Sequence, residues 1–185
     1  MKDGALKILF VSNGVFVLAT SLLGPLYALY VEKINKGILN ISVSWAVFLI
    51  SATIFTFIIS KIGDHHRKDG FLITGYLIRA VVWIMYIFVS NMPQLILLQI
   101  LLGLGEAIGT PSFDAIFAEH LEDHHHVEEY SDWSLIRNIA TALGTIGGGL
   151  IVSSFGFKPL FIFMAFFALI SVFGIVFRPK KILLK

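Results

Sequence analysis

The chain has no cysteine, which excludes a disulfide framework and a thiolate metal site. Charge is also scarce. Asp, Glu, Lys and Arg make up 14% of its 185 residues, where a soluble domain carries roughly a quarter. The net charge is only +2, and no basic stripe with interleaved aromatics occurs, which excludes a nucleic-acid partner. Walker loop, Gly-x-Ser-x-Gly elbow and dinucleotide fingerprint are all missing. The expectation is a non-enzyme without a cofactor. The six-helix core of an ATP-driven exporter is set aside as well, since a nucleotide-binding domain and long helix extensions do not fit in this length.

What the chain does have is apolar mass: 57% hydrophobic residues and a mean hydropathy of +0.86. A water-soluble domain of this size has too little interior to hide so much apolar surface, so a bilayer must solvate most of it. The opening MKDGALKILF begins like a signal peptide. Its apolar run continues to Tyr30 without a small-residue cleavage pattern, and it reads as a retained span.

A helix needs about 20 apolar residues to cross the hydrocarbon. Six segments qualify, at about 8–31, 41–62, 70–90, 93–121, 131–155 and 159–177. The links are short, the longest polar one being EDHHHVEEY. One all-α, six-helix transmembrane domain is expected over 1–185, with both termini on one side. Placing them in the cytoplasm puts Lys2, Lys7, Lys61, Arg67, Lys68, Arg178, Lys180, Lys181 and Lys185 on that face, against Lys33, Lys36 and Lys158 opposite. The expected location is a prokaryotic cytoplasmic (inner) membrane, termini inside. The tail RPKKILLK reads equally as a membrane-proximal end or as the start of a central linker.

Similar stretches recur in order. PLYALYVE in the first span matches SFDAIFAE in the fourth, SWAVFLISAT in the second matches DWSLIRNIAT in the fifth, and IISKIG matches IVSSFG where those spans close. Ala28 and Ala115, Trp45 and Trp133, and Gly63 and Gly156 each stand roughly 90 residues apart. This pattern reads as a duplicated three-helix unit, about 7–91 and about 93–178. Three spans are an odd number, so the second copy lies inverted, as in secondary transporters.

Three motifs then carry a resemblance. SKIGDHHRKD after the second span keeps Asp64, Arg67 and Lys68 of Gly-x-x-x-Asp-Arg-x-Gly-Arg-Arg. QILLGLG in the fourth keeps Gly103 and Gly105 of Arg-x-x-Gln-Gly-x-Gly, with Gln99 in the arginine's place. GTIGGG in the fifth keeps Gly144, Gly148 and Gly149 of Gly-Pro-x-x-Gly-Gly, with Thr145 for proline. SSFGFKPLFIF is similar to the family's approach to its sixth span. In these features the chain resembles the major facilitator superfamily, as one six-helix half of the usual twelve. The resemblance implies a secondary transporter, with Asp64, Arg67, Lys68 and the motif glycines in structural or gating roles.

The stretch GLGEAIGTPSFDA puts Glu106, Pro111 and Asp114 inside an apolar span. A carboxylate in hydrocarbon costs several kcal/mol unless it is paired, protonated or wet. Glu106 falls near mid-bilayer, where transporter sites lie, and is the leading candidate for substrate contact or coupling; the alternative is a protonated structural glutamate bonding a neighbouring helix. Asp114 is expected to pair with Arg137 of the fifth span as a structural or gating contact, with Arg79 a competitor or a snorkelling residue. Gly103, Gly105 and Gly109 permit close helix approach; Pro111, like Gly24–Pro25 in the first span, permits a bend. The first and fourth spans should therefore line the cavity through Asn13, Thr20, Ser21, Tyr27, Glu106, Thr110 and Asp114. For the hydroxyls, bonding to the preceding turn is an equal alternative. His65, His66, His120, His124, His125 and His126 gather at the cytoplasmic face without rigid ligand spacing, and no metal is assigned to them.

The function expected is a half-length transporter forming a parallel homodimer around a central cavity. It would move a small solute by alternating access, with protons as a candidate coupling ion. The alternatives are a non-transporting membrane partner or assembly subunit, and a divalent-cation carrier or sensor built on the histidine loops.

Overall fold

The computed structural model describes residues 4–61, 67–121 and 125–177. Within them lie seven helices: α1 Gly4–Leu23, α2 Leu26–Ile34, α3 Ile38–Ser60, α4 Lys68–Tyr86, α5 Met92–Glu119, α6 His126–Phe155 and α7 Phe157–Val176. Five are long and apolar enough to cross a membrane, or six when α1 and α2 count as one bent span. No strand occurs among the described residues.

Local chemistry sets the breaks. Gly24 takes φ +22° and Pro25 follows it, so the first span bends by 48° between α1 and α2. Pro111 behaves otherwise. The bend expected there interrupts nothing, because α5 runs as one helix from Met92 to Glu119. α5 opens on an Asn91 cap, whose side chain accepts the Gln94 N–H at 3.0 Å. Gly156 at φ +81° makes the one-residue turn between α6 and α7.

α5 packs on α3 and α4, and α1 packs on α6 and α7; α4 and α7 pack on each other. Glycines set the closest approaches. A Cβ on Gly103 would lie 2.8 Å from the Ala52 nitrogen of α3, and one on Gly144 would lie 2.7 Å from the Leu18 carbonyl oxygen of α1. A Cβ on Gly148 would strike the Leu22 carbonyl. The motif glycines Gly103, Gly105, Gly144 and Gly148 are thus all at helix contacts. α3 is the least buried span, and α6 turns Leu135, Ile139, Leu143, Ile146 and Leu150 outward.

At the end of the bundle holding the α3–α4 and α5–α6 links, Lys68 at the start of α4 forms an ion pair with Glu119 at the end of α5. Arg67 pairs with Asp69 at 2.6 Å. Asp64, His65, His66 and His124 lie outside the described residues.

Candidate functional site

A cavity of about 390 Å³ lies among the spans. Its lining includes an ion pair between α4 and α5, Arg79 Nη2 to Glu106 Oε2 at 3.0 Å. The same nitrogen reaches Thr110 Oγ1 at 3.1 Å and the Gly105 carbonyl oxygen at 3.4 Å. Thr110 donates to Glu106 Oε1 at 2.6 Å. The Arg79 guanidinium also lies 4.9 Å from the Phe16 ring centre, and Phe16 stacks on Tyr76 at 3.7 Å.

The sequence around the acid explains how a guanidinium fits there. A Cβ on Gly105 would sit 2.9 Å from Arg79 Cγ, and one on Gly109 would sit 3.3 Å from Arg79 Nη2. A Cβ on Gly75 would come within 2.6 Å of the Gly109 Cα. Bare backbone on both helices therefore lets the arginine lie flat against α5, beside Glu106. Arg79 is buried, while the Glu106 side chain is 34% exposed, so the acid is the member of the pair that opens to the cavity.

This arrangement corrects the expected Asp114–Arg137 pair. Both residues line the cavity and both are exposed, yet the guanidinium–carboxylate pair found at membrane depth among the described residues is Arg79–Glu106. The reason is packing: α6 packs on α1 and α7, whereas α5 packs on α4, so α4 supplies the cation. Arg79 neither snorkels nor serves Asp114.

Further along the cavity, Gln99 donates through Nε2 to the Tyr27 hydroxyl. Tyr27 donates to Ser44 Oγ at 2.7 Å, and Ser44 to the Ile41 carbonyl at 3.0 Å. The Tyr76 hydroxyl donates to Asn13 Oδ1. Thr20 lines the cavity, but its hydroxyl bonds the Val17 carbonyl at 2.9 Å, as the local alternative had it. Ser21 lies instead against Gly144 at the α1–α6 contact. Of the expected lining residues, Asn13, Thr20, Tyr27, Glu106, Thr110 and Asp114 do surround one space.

Sequence reasoning did not foresee Tyr76, Tyr86 and the tryptophans as lining residues. Trp45, Trp83 and Trp133 all border the cavity, and they are all the tryptophan the chain has. All three stand within about two turns of a helix end, where headgroup-level tryptophan is ordinary, so the sequence offered no signal that they share a cavity. At the histidine face, His120 contacts the Ile116 carbonyl at 2.8 Å and His125 pairs with Glu128 at 3.0 Å. No group of three or more metal-ligating side chains occurs among the described residues.

Comparison with known proteins gives the kinship. The model for the Major Facilitator Superfamily matches residues 9–182. The chain is 20% identical over 181 residues to an MFS-type transporter of Methanocaldococcus jannaschii, covering 94% of this chain and 47% of that one. It is 27% identical over 161 residues to the multidrug resistance protein MdtG of Citrobacter koseri and to that of Salmonella arizonae, covering 83% of this chain and 39% of each. The chain thus spans less than half the length of these relatives.

Proposed function

The chain belongs to the Major Facilitator Superfamily, and from that premise we propose that it is one six-helix unit of a secondary transporter. Two copies in parallel close around the cavity and move a small solute by alternating access. The observation that carries this is the half-open charged site. Glu106, Thr110, Asp114 and Arg137 face a space that one unit leaves open on one side, and hydrocarbon is a costly neighbour for such groups. A second copy, related by an axis along the membrane normal, would cover that side with the same surface.

The exchange of packing partners supports the inverted repeat over about 7–91 and 93–178: α1 stands to α6 and α7 as α5 stands to α3 and α4. Both termini are assigned to the cytoplasmic side of a prokaryotic inner membrane, on the Lys/Arg bias. The solute is taken to be ring-bearing and drug-like. Nine of the 23 lining residues are aromatic, and relatives carry the name multidrug resistance protein.

Glu106 is assigned the coupling proton. A proton on its carboxyl removes the charge that holds Arg79 and frees α4 to shift against α5. The test is ethidium transport into proteoliposomes across imposed pH gradients, comparing wild type with Glu106→Gln. The expected result is gradient-driven transport in wild type and pH-insensitive transport in the variant. Unchanged pH dependence removes the coupling role. An absence of ethidium movement under every gradient counts against the transporter and for a non-transporting partner subunit.

A further inference from the structure

We infer that Gln99 is a specificity subsite of this cavity, where its amide oxygen accepts a hydrogen bond from an N–H or O–H of a ring-bearing solute. The inference rests on the transporter reading and adds to it which chemical group the cavity selects.

The orientation of the amide follows from the hydrogen bonds around it. The Ile41 carbonyl can only accept, so the Ser44 proton goes there. The Tyr27 proton then goes to Ser44, and the Tyr27 oxygen is left to accept. Gln99 must therefore present its NH2 to Tyr27, which turns Oε1 away. A flipped amide would set oxygen against an oxygen that has no proton to give. Gln99 is fully buried, and Oε1 has no hydrogen-bond partner. Buried acceptors are rarely left unpaired, because the loss of water is not compensated.

Two further buried atoms without a partner belong to lining residues, the Tyr86 hydroxyl and Arg79 Nε. The aromatic walls supply ring-stacking surface near all three. Net charge does not do the selecting, since Arg79 and Arg137 balance Glu106 and Asp114 along the lining. The identity of the residue matters as well. An amide oxygen accepts a hydrogen bond, which a guanidinium or ammonium at the same place could not do.

The test uses the full chain in nanodiscs and two probes that differ in one donor, acridone with its ring N–H and N-methylacridone without it. Because every tryptophan lines the cavity, quenching of tryptophan emission reports binding there. The expected result is that wild type binds acridone about tenfold or more tightly than its methylated twin. In Gln99→Leu that ratio falls to about one, and in Tyr27→Phe, where the amide is free to turn, it narrows. Tyr27→Phe also keeps the test alive if Gln99→Leu fails to fold. A ratio near one in wild type, a ratio retained in Gln99→Leu, or no saturable quenching by either probe overturns the inference. A donor preference without ethidium transport would sink the transporter and leave a binding site. Transport without a donor preference would sink the subsite alone.

Discussion

At the scale of single residues, the account turns on Arg79 and Glu106. A buried guanidinium that loses its carboxylate has no water to replace it, so breaking the pair from one side costs more than removing both members. The double cycle Arg79→Met, Glu106→Gln and the combination should return a coupling of about 1–3 kcal/mol, read from thermal unfolding in detergent. Additive effects would mean that the 3.0 Å contact is incidental. The sequence announced that Glu106 had to be handled, because an acid at mid-span cannot face lipid. It did not announce the partner. Depth along a helix can be counted from residue numbers, but azimuth depends on which neighbour packs where. Arg79, Asp114 and Arg137 therefore competed for roles that only the α4–α5 contact decides. Trp45 and Trp133 were legible as landmarks of a repeat, and the cavity they share with Trp83 emerged only once the helices were assembled.

At the scale of elements, glycine patterns separate a helix contact from a free surface. On α6, Gly148 lies against the Leu22 carbonyl of α1, while its neighbour Gly149 has nothing within 4 Å of a would-be Cβ. Gly148→Ala should lower stability by about 1–3 kcal/mol, because the α1–α6 seam has to open. Gly149→Ala should leave stability unchanged or raise it by up to about 1 kcal/mol, from helix propensity alone. Melting curves of the two variants check this, and equal losses would place the seam elsewhere. The spans themselves were readable, since long apolar runs bounded by charge and glycine permit little else. The two prolines differ in whether the helix is interrupted. Pro25 follows a glycine free to take φ +22°, and the chain bends; Pro111 follows Thr110, and α5 continues through it. A proline lacks the N–H of one helical bond, but whether the axis breaks depends on the residues beside it and on the packing of both flanks.

For the whole molecule, the central claim is that one unit encloses half a cavity and a parallel second copy supplies the other half. α3 and α6 are the spans with the most free surface, and within one unit neither packs on the other. The chain's lack of cysteine gives introduced thiols a clean background. Val43 lies near the start of α3 and Leu150 near the end of α6. Both are exposed and both stand toward the end of the bundle with the α4–α5 turn. Two parallel copies hold these positions at the same membrane depth, whereas antiparallel copies hold them on opposite sides. The most direct measurement is the mass of the Val43→Cys/Leu150→Cys chain in nanodiscs before and after oxidation. The account predicts two copies per disc and a covalent dimer on oxidation; a single copy per disc that gives no covalent dimer, while still transporting ethidium in proteoliposomes, would contradict it.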